Sequence, residues 1–521
     1  MTRSKADIFV IWLLLAAAVS SSMAAVGLPK PDRGSAPQSR LYDYGVMGPP
    51  ATPEIVAAAD AGVTKPMAPG PYKATWDSIQ QNYEVPDWLE GAKFGLFMHW
   101  GLYSVPAHGN EWYEKHMYAG GDLQWHTAHF GPPEKFGYKD FIPLFTQARF
   151  NADDWAALFK KAGAKFVVPT AEHHDNFAMW DSEVTPFNAK KMGPKRDLIG
   201  ELGAAVRKQG LKFGVSNHGM EHFTFINPDP ALDARLQAAK ADLYDPAWSE
   251  FYNVADRSPA AMTRFLTDWV NRNLELIDKY QPDMLWFDNG VNLRVLDPLK
   301  EHVAAYYYNS AKAWDKPVTI VTKYIAYAPS NDDTKQIGSV IDFEKVGSRS
   351  PAAVRPGPWI VDDPIGSTWG YTEGERISSP ASIIGKLIDT ASKDGTYMLN
   401  LSPTADGRIP DDQRQTLLGI GAWLALNGDA IYGTHAWTQF GENGLHFTVK
   451  DGALYAMGSA GGEVVIHSVT AAVGKVEKVE MLGNSSPLEF TQDDGGLKVE
   501  VPGRQPGELP YALKISGLNL K

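Results

Sequence analysis

Cysteine is absent from the 521-residue sequence. Disulfide bonds, zinc–thiolate sites and cysteine nucleophiles are therefore excluded, and the fold must be stabilised by burial of apolar surface, for which the chain is long enough. The sequence also lacks the GxSxG motif of many serine hydrolases and the HExxH motif and HxH spacing of many zinc hydrolases. These absences leave carboxyl groups as the main candidates for catalysis.

Runs of lysine or arginine are also absent, and the formal net charge is −12. Neither nucleic acid nor an anionic membrane surface is an expected partner for such a chain. A neutral ligand fits the charge better. The 16 tryptophans and 21 tyrosines favour a sugar, because aromatic rings stack on its apolar faces while their polar edges bond hydroxyl groups, although large cores use the same residues.

Long apolar runs are confined to the N-terminus. The first residues, MTRSKADIFVIWLLLAAAVSSSMAAVG, place two basic residues ahead of an apolar stretch over residues 8–19, and small residues follow it. This pattern predicts a secretory signal peptide over residues 1–25, cleaved after Ala24 or Ala25, and hence an exported protein, periplasmic or extracellular. A membrane anchor is the alternative, but the stretch is shorter than the ~20 residues of a span. After cleavage no segment is expected to contact the membrane.

The rest of the chain divides into three segments. Residues 26–75 are rich in Pro, Ala and Gly, which predicts a leader that lies over the surface or is disordered. Residues 76–436 alternate helices with short apolar strands, as in NADDWAALFKKAG before AKFVVPT, where Asn151 is a candidate N-cap. Residues 437–521 show short alternating runs split by Gly, Asp, Asn and Pro, which predicts an antiparallel β-sandwich with a supporting role.

Repeated helix–strand units in the middle segment predict a parallel sheet that closes into a barrel. Seven strands can be counted, KFGLFMH, KFVVPT, LKFGVS, DMLWF, VTIVT, SVIDF and TYMLNL, close to the eight of a TIM-type barrel with one lost or missed. An open doubly wound sheet is the alternative. Polar residues at the carboxyl ends of the strands favour the barrel. The predicted fold class is α/β, a (β/α)8-like barrel followed by a C-terminal antiparallel β-sandwich.

The strand ends and the loops after them carry most of the candidate functional residues. These are His99, Trp100, Glu111, Trp112, Glu172, His173, His174, Asp175, Asn217, His218, Glu221, Trp286, Asp288, Lys323, Asp342 and Glu344. On a barrel such residues converge, because active sites lie at the carboxyl ends of the strands. The resulting cup of imidazoles, carboxylates and indoles suits a polyhydroxylated ligand.

Asp288 closes the apolar strand DMLWF, beside Trp286. A carboxylate in this position is costly unless it is paired or used, although it could also cap the following turn. Glycoside hydrolysis would use it, since that reaction needs two carboxyl groups across a sugar, one ionised and one protonated. A metal hydrolase could recruit the histidines of HHD, but adjacent side chains on a strand are expected to diverge. No metal and no organic cofactor is predicted.

Several stretches resemble the alpha-L-fucosidases of glycoside hydrolase family 29. They are KFGLFMHWGLYSVPAHGNEWY, FTQARFNADDWAALFKKAGAKFVVPTAEHHDNFAMWDS, LIDKYQPDMLWFDNG, STWGY, TASKDGTYMLNLSPTADGRIP and GAWLALNGDAIYGT, in this order. The resemblance implies a barrel followed by a β-sandwich, and a retaining exo-glycosidase that hydrolyses terminal alpha-L-fucosyl residues through a covalent fucosyl-enzyme. Its partner would be a fucosylated oligosaccharide or glycoconjugate.

The same resemblance implies roles for individual residues. The nucleophile of the family falls on Asp288, with Trp286 beside it. The positions that hold the fucose hydroxyls are matched by His99, Glu111, Trp112, His173 and His174. Phe97 and Trp369 match positions around the C6 methyl group. His218 and Lys323 complete the expected binding set; Lys323 replaces an arginine that contacts the sugar or the nucleophile, or else faces solvent, and each histidine could instead be a structural residue at the barrel end.

The general acid/base is where the sequence departs from the family. Many relatives carry a Trp-Glu pair before the SWGY-like stretch, whereas this chain has PWIVDDPIGSTWGY, with Ile360 where the glutamate would stand. Many also have a tyrosine-rich strand end where this chain has SNHGMEH. Glu344 is the expected acid/base; Asp362, Asp363 and Glu221 remain open.

Two other functions also remain open. A hydrolase of a related sugar, such as an alpha-L-galactoside, would need a methyl niche that admits a hydroxymethyl group. A non-catalytic exported sugar-binding protein would have kept the cup and lost the acid. An oligomer is compatible with the sequence, which specifies neither the linkage that is cut nor the glycan that supplies the sugar.

Overall fold

The computed structural model describes residues 51–323, 325–328, 333–484, 486–505 and 507–520. The predicted signal peptide and the first half of the predicted leader lie outside the described residues. None of the helices within the described ranges is long and apolar enough to cross a membrane.

Eight parallel strands form a closed barrel, in which the last strand pairs with the first. They are β1 (Phe94–Met98), β2 (Phe166–Glu172), β3 (Lys212–Asn217), β4 (Met284–Phe287), β5 (Thr319–Lys323), β6 (Val340–Glu344), β7 (Trp359–Pro364) and β8 (Thr396–Leu401). Each strand also pairs with the next one along the chain. The prediction of a (β/α)8-like barrel is therefore confirmed, and the open-sheet alternative is wrong.

The strand missing from the sequence-based count is β7. Its sequence, WIVDDP, follows the Pro-rich stretch RPGP and ends in two aspartates and a proline, which conceals its strand character. All six of its residues are buried. Pairing with β6 on one edge and β8 on the other is what makes it a strand, and these are long-range contacts that a local pattern does not show.

Helices follow or precede the strands and surround the barrel. They are α1 (Pro53–Ala61), α2 (Trp76–Asn82), α3 (Asp87–Ala92), α4 (Tyr113–Ala119), α5 (Leu123–Phe130), α6 (Ala152–Lys161), α7 (Leu198–Lys208), α8 (His222–Phe225), α9 (Pro230–Ala239), α10 (Ser249–Tyr252), α11 (Pro259–Tyr280), α12 (Asp297–Ala313), α13 (Pro380–Ser392) and α14 (Asp411–Asn427).

Helix α6 shows how the sequence sets these elements. The side chain of Asn151 accepts a hydrogen bond from the backbone N–H of Asp154 at 3.1 Å, so the predicted N-cap is confirmed. Acidic residues occupy its first turn and basic residues its last, in accord with the helix dipole. Gly163, with a φ of +87°, ends the helix and leads into β2.

Part of the segment interpreted as a leader is helical. In α1, Val56 and Ala59 are buried, and the helix packs on α11 and α12. Thr267 donates a hydrogen bond to the carbonyl of Ala59 at 3.0 Å, and His302 Nδ1 lies 2.7 Å from a carboxylate oxygen of Asp60. Residues 53–61 therefore belong to the outer layer of the barrel.

Apolar side chains fill the interior of the barrel below its mouth. Its members are Phe97, Phe166, Val168, Met284, Trp286, Val321, Val340, Ile360 and Met398, with Leu89 and Ala92 of α3 at the closed end. Because side chains alternate along a strand, the residue two positions further on faces the same interior, nearer the carboxyl end. This period of two decides which polar residues enter the site.

The C-terminal strands form two antiparallel sheets that share one core. A five-stranded sheet has the order β13-β16-β11-β10-β9, and a three-stranded sheet the order β12-β15-β14. The strands are β9 (His435–Glu442), β10 (Leu445–Lys450), β11 (Ala453–Gly458), β12 (Gly462–Ile466), β13 (Gly474–Met481), β14 (Phe490–Asp493), β15 (Gly496–Val501) and β16 (Tyr511–Leu518). Phe447 and Ile515 of one sheet pack in the same cluster as Val464 and Leu497 of the other, so the predicted β-sandwich is confirmed.

Candidate active site

The polar layer at the barrel mouth follows from the two-residue period of its strands. One step beyond the apolar interior, the strands contribute the following buried side chains: His99, His218, Asp288, Lys323, Asp342, Asp362 and Asn400. Asp288 is two residues after Trp286, as His99 is after Phe97 and Lys323 after Val321. The same alternation that fills the barrel with apolar residues therefore directs ionisable groups into one small volume.

Asp288 is buried and contacts three basic side chains. Its Oδ2 lies 2.9 Å from His218 Nδ1 and 3.5 Å from His174 Nε2. Its Oδ1 lies 3.3 Å from the ammonium nitrogen of Lys323, and among the described residues it accepts no hydrogen bond. The carboxylate is thus fixed through one oxygen and keeps the other available for chemistry.

These neighbours decide the charge of Asp288. Burial on its own would raise the pKa of this carboxyl, but Lys323 and the two imidazoles outweigh it and hold the pKa well below its usual range. The imidazoles behave in the opposite way, because burial lowers the pKa of His218 and brings that of His174 to about 3. At neutral pH the site holds an ionised Asp288 among neutral histidines.

Lys323 lies at the centre of the acidic side chains. Besides Asp288, its ammonium nitrogen lies 3.8 Å from Glu344 Oε2 and 3.9 Å from Asp362 Oδ2. It is also 5.3 Å from the ring centroids of both Trp286 and Trp369, a distance at which a cation and an aromatic ring attract each other. The residue is only 6% exposed, so the alternative of a solvent-facing lysine is wrong.

Glu344 ends β6 at the rim of the cup. Its side chain is 18% exposed, more than the other two carboxyl groups that contact Lys323. Arg349 Nη1 lies 3.2 Å from Oε2, and Lys345 lies 4.0 Å from Oε1. Glu344 therefore faces the same volume as Asp288 and is also accessible from solvent.

The other candidates for the second carboxyl group have different surroundings. Asp363 points away from the barrel interior. Its Oδ2 accepts hydrogen bonds from Lys386 of α13 and from the hydroxyl of Tyr397. Asp362 is fully buried, and burial followed by the charge of Asp342 raises its pKa well above the usual range. Burial and the charge of Asp288 also raise the pKa of Glu221 well above its usual range. Neither Asp362 nor Glu221 has a hydrogen-bond partner for its carboxyl oxygens among the described residues.

The predicted histidines come together in the cup. The His99 ring centroid is 5.4 Å from that of His173 and 5.1 Å from that of His218, and the rings of His173 and His174 are 4.3 Å apart. The expectation that His173 and His174 diverge is wrong. The register of β2 against β3 shifts between Thr170 and Glu172, and beyond this irregularity the strand alternation no longer holds.

Loop residues close the cup on one side. Glu111 Oε2 accepts hydrogen bonds from the backbone N–H groups of Trp369 and Gly370 at 3.1 and 3.2 Å, which ties the loop after β1 to the loop after β7. Burial raises the pKa of Glu111, and those two hydrogen bonds oppose the shift. The Trp112 ring lies 6.0 Å from His174. Glu111 and Trp112, from the loop after β1, therefore lie beside Trp369 and His174 at the edge of the cup.

The floor of the cup is aromatic. Phe97 and Trp286 have their ring centroids 4.9 Å apart, and Trp286 lies 5.0 Å from the ring of His218. The indole N–H of Trp286 donates to Asp342 Oδ2 at 2.6 Å, and burial raises the pKa of Asp342 to about 7. Asp342 thus fixes the Trp286 indole, whose ring supports the residues around Asp288.

Three polar residues near these strand ends serve the scaffold. Glu172 forms a buried ion pair with Arg272 at 2.9 Å. Asp175 accepts the hydroxyl of Tyr138 at 2.9 Å. The side-chain oxygen of Asn217 accepts the N–H of Gly219 at 2.9 Å.

Sequence analysis did not single out Asn400, which positions two site residues. Its side-chain oxygen lies 2.8 Å from His99 Nδ1, and its amide nitrogen donates to the carbonyl of Trp369 at 2.8 Å. Since an amide oxygen can only accept, His99 donates from Nδ1 and keeps the lone pair of Nε2 for a ligand. The signal was present in TYMLNL, where Asn400 follows Met398 by two residues in an apolar strand.

Two groups of described residues could hold a metal ion. His99, His173 and His218 form one, and His174, His218 and Asp288 form the other, with ligand atoms within 4.8 Å of one another in each group. The first group has three imidazoles, and the second adds a carboxylate. The arrangement can therefore bind hydroxyl groups, carry out acid–base chemistry or hold a cation.

Comparison of the chain with known proteins identifies its family. A profile described as alpha-L-fucosidase matches residues 61–429. The chain is 31% identical over 482 residues to the tissue alpha-L-fucosidase of Rattus norvegicus, covering 89% of this chain and 96% of that protein. It is 30% identical over 497 residues to the human tissue alpha-L-fucosidase, covering 91% and 99%.

Solved structures give the same result for the fold. The alpha-fucosidase of Thermotoga maritima in complex with fucose is 30% identical, with a TM-score of 0.67, and the match covers 85% of this chain and 100% of that one. The same bacterial enzyme with a mechanism-based inhibitor also has a TM-score of 0.67 at 30% identity, covering 85% and 99%. The similarity thus extends over the barrel that carries the site.

Proposed function

The chain belongs to the alpha-L-fucosidase family, glycoside hydrolase family 29, and from this premise we propose that Asp288 and Glu344 are its two catalytic carboxyl groups. The enzyme is a retaining exo-glycosidase that hydrolyses terminal alpha-L-fucosyl residues by double displacement. One observation supports the pairing of these two residues. Both contact the ammonium of Lys323, at 3.3 and 3.8 Å, so they face the same small volume from different strands.

The first step forms the covalent intermediate. Asp288 Oδ1, which accepts no hydrogen bond from the described residues, attacks the anomeric carbon as the bond to the glycosidic oxygen breaks. Glu344 gives its proton to that departing oxygen. His218 holds the other carboxylate oxygen of Asp288, and Lys323 keeps the carboxylate ionised until the new bond forms.

The second step regenerates the enzyme. Glu344, now ionised, takes a proton from a water molecule whose oxygen attacks the anomeric carbon, and the bond to Asp288 breaks. Two inversions at one carbon give overall retention, so alpha-L-fucose is released first. The 18% exposure of Glu344 suits this step, since the same carboxyl group must reach the leaving group and then water.

The remaining predicted residues are proposed to recognise the sugar. His99, Glu111, Trp112, His173, His174 and His218 bind hydroxyl groups; Trp286 and Lys323 support the nucleophile; Phe97 and Trp369 surround the C6 methyl group. Buried hydrogen-bonding groups reject a wrong epimer more strongly than an apolar niche rejects an altered methyl, because a mismatch leaves them unpaired. A sugar-binding protein without catalysis is less consistent with a site in which Asp288 is ionised and Oδ1 accepts no hydrogen bond from the described residues.

Substitution of each carboxyl group tests the proposal with aryl alpha-L-fucosides as substrates. Asp288→Asn should lower kcat by at least about 10³-fold, or ~4 kcal/mol of barrier. Glu344→Ala should lower kcat/KM by about 10²- to 10⁴-fold with a poor leaving group and much less with a good one, because kcat/KM reports the first step and only the poor leaving group needs the proton. Azide should restore turnover in Glu344→Ala and in an Asp288→Gly variant, giving alpha-fucosyl azide from the first and beta-fucosyl azide from the second.

One variant serves as a control for the acid. Asp363→Asn, on the outer side of the barrel, should turn over like the wild type. A fully active Glu344→Ala enzyme would refute the role of Glu344, and the same leaving-group comparison on Asp362→Asn and Glu221→Gln would then identify the acid.

We also propose that the protein is exported by its N-terminal signal and acts in the periplasm or outside the cell. The supporting observation is the sequence of residues 1–25, in which basic residues precede a short apolar stretch and small residues. N-terminal sequencing of the protein from cell fractions tests it. A mature chain starting after Ala24 or Ala25 is expected, and an uncleaved cytoplasmic chain would contradict the proposal.

A further inference from the structure

Asp288 Oδ2 and the His174 imidazole form an unusual contact. His174 Nδ1 lies 3.0 Å from the carbonyl oxygen of His218. Because a carbonyl only accepts, Nδ1 carries the proton and Nε2 carries a lone pair. That lone pair faces Asp288 Oδ2 at 3.5 Å, so two acceptors oppose each other in a buried site. Two buried acceptors this close are unfavourable unless a hydrogen-bond donor or a cation lies between the two atoms.

His218 can present a second lone pair at the same point. Its Nδ1 lies 2.9 Å from Asp288 Oδ2, and its Nε2 lies 3.0 Å from the hydroxyl of Ser216. A hydroxyl can donate or accept, so Ser216 satisfies Nε2 in either tautomer. The imidazole can therefore move its proton to Nε2 and offer Nδ1 as a ligand, and a cation bound by both Nδ1 and Asp288 Oδ2 then replaces the hydrogen bond between these two atoms.

The distances match those of a tetrahedral metal site. Zinc binds imidazole nitrogen at about 2.0–2.1 Å and carboxylate oxygen at about 2.0–2.2 Å, which places neighbouring ligand atoms roughly 3.4 Å apart. Around Asp288 Oδ2 the two observed separations are 2.9 and 3.5 Å. The second ring nitrogens of both histidines bind a backbone carbonyl and a hydroxyl, as they do for many metal-ligating histidines.

Carboxyl groups adjoin the cluster. The ionised Asp288 is one of its three ligands, and Glu344 contacts the same Lys323 ammonium as Asp288 does. Glu221 Oε2 lies 3.7 Å from His174 Nδ1, next to the cluster. Lys323 is on the other carboxylate oxygen of Asp288, so its ammonium does not occupy the point between Oδ2 and the imidazoles.

We propose that His174, His218 and Asp288 bind a divalent transition-metal ion such as Zn²⁺, in competition with the sugar. The ion is an inhibitor and not a cofactor, since it would occupy the nucleophile and two imidazoles that bind substrate. That consequence for turnover rests on the proposed function. Binding of the ion itself rests only on the three ligands and their hydrogen-bond partners.

Direct metal binding to the untagged full-length protein tests the site without any turnover. After removal of metal by a chelator, titration with Co²⁺ should give the visible absorption of a tetrahedral N/O complex, and Zn²⁺ and L-fucose should each reduce that absorption. In His218→Phe, and separately in Asp288→Asn, affinity for Co²⁺ should fall at least about tenfold, the size of effect that even the loss of an outer hydrogen-bond partner produces. The matched control is His467→Gln, which removes an exposed imidazole of the sandwich and should bind Co²⁺ like the wild type.

Three results would overturn the proposal: no tetrahedral spectrum, equal affinity in the wild type and both ligand variants, or no displacement by L-fucose. If either ligand variant fails to fold, Ser216→Ala replaces it and should weaken binding by about tenfold. The site and the catalytic proposal fail separately. A protein that binds Co²⁺ in this way but hydrolyses no fucoside supports the site, and an active enzyme without the spectrum refutes it.

Discussion

The barrel and the β-sandwich are both built from short strands around an apolar core, but they treat polar side chains differently. The barrel buries His99, Asp288, Lys323 and Asp362 at its mouth. In the described part of residues 435–520, no Asp, Glu, Lys, Arg or His side chain is buried; Thr448 is, and it donates to the carbonyl of Ala430 at 2.7 Å.

Geometry explains the contrast. In a closed barrel the inward side chains of all eight strands meet in shared layers, so one polar residue per strand is enough to make a cluster. In a sandwich the inner face of each sheet meets another apolar face, and polar residues alternate outward to water. A buried charge is costly unless it is paired, and at the barrel mouth His174, His218 and Lys323 all contact the carboxylate of Asp288.

The largest difference between the two parts should come from matched aromatic truncations. Phe97 packs 4.9 Å from Trp286 in the barrel, and Phe447 packs 5.5 Å from Trp437 in the sandwich. Phe97→Ala and Phe447→Ala should each lower the free energy of unfolding by about 3–5 kcal/mol, measured by urea denaturation. Only Phe97→Ala should also lower kcat of the folded enzyme, because it removes a ring that packs against Trp286. A similar loss of kcat in both would show that the sandwich shapes the site.

Removal of the central cation should have the next largest effect. Lys323→Met takes the ammonium from beside Asp288 and should raise the pKa of that carboxyl, because burial is then opposed only by imidazoles. We expect kcat/KM to fall by about 30- to 100-fold, or ~2–3 kcal/mol. Lys345→Met, on the exposed rim, should cost less than about threefold, since solvent screens it. Comparable losses of kcat/KM in the two variants would show that Lys323 has no special role beside Asp288.

A pH-dependent contribution to stability should come from His174. Its pKa is about 3 in the folded protein and near 6.5 in the unfolded chain, so in this range the unfolded state binds a proton that the folded state does not. The stabilising contribution is complete above pH 6.5 and is lost as the pH falls towards 3, by up to about 1.4 kcal/mol per pH unit. In His174→Gln, the free energy of unfolding should therefore fall less steeply between pH 6.5 and 5 than in the wild type. An unchanged slope would contradict this, and His467→Gln controls for loss of an exposed imidazole.

The smallest effects on kcat should come from substitution of the two adjacent aspartates of β7. Asp363→Asn loses the charge that pairs with Lys386 and accepts from the Tyr397 hydroxyl, and should cost about 1.5–3 kcal/mol of stability, with kcat unchanged. Asp362→Asn replaces a carboxyl group whose raised pKa keeps it protonated, so the neutral amide should alter kcat only a few-fold. A loss of about 10²-fold in Asp362→Asn would instead make Asp362 the general acid.

Local patterns predicted the fold and most of the cup, because alternation along a strand is a local property. The end of β4 shows this directly, since Asp288 follows Trp286 by two residues and both face the interior. The errors arose where distant contacts decide the outcome. Strand β7 exists because β6 and β8 cover both its edges, and His173 and His174 share the cup because the β2 register shifts against β3. The burial of Lys323 between two indoles depends on a loop contact that its own sequence does not contain.

The covalent step at Asp288 is the central claim, and trapping the intermediate tests it most directly. A fluorinated fucosyl substrate that forms the intermediate quickly and releases it slowly should add one fucosyl group per protein, detected by mass spectrometry. Peptide mapping should place that group on Asp288, and the Asp288→Asn variant should remain unlabelled. A label on Glu221 or Glu344, or a labelled Asp288→Asn protein, would contradict the account.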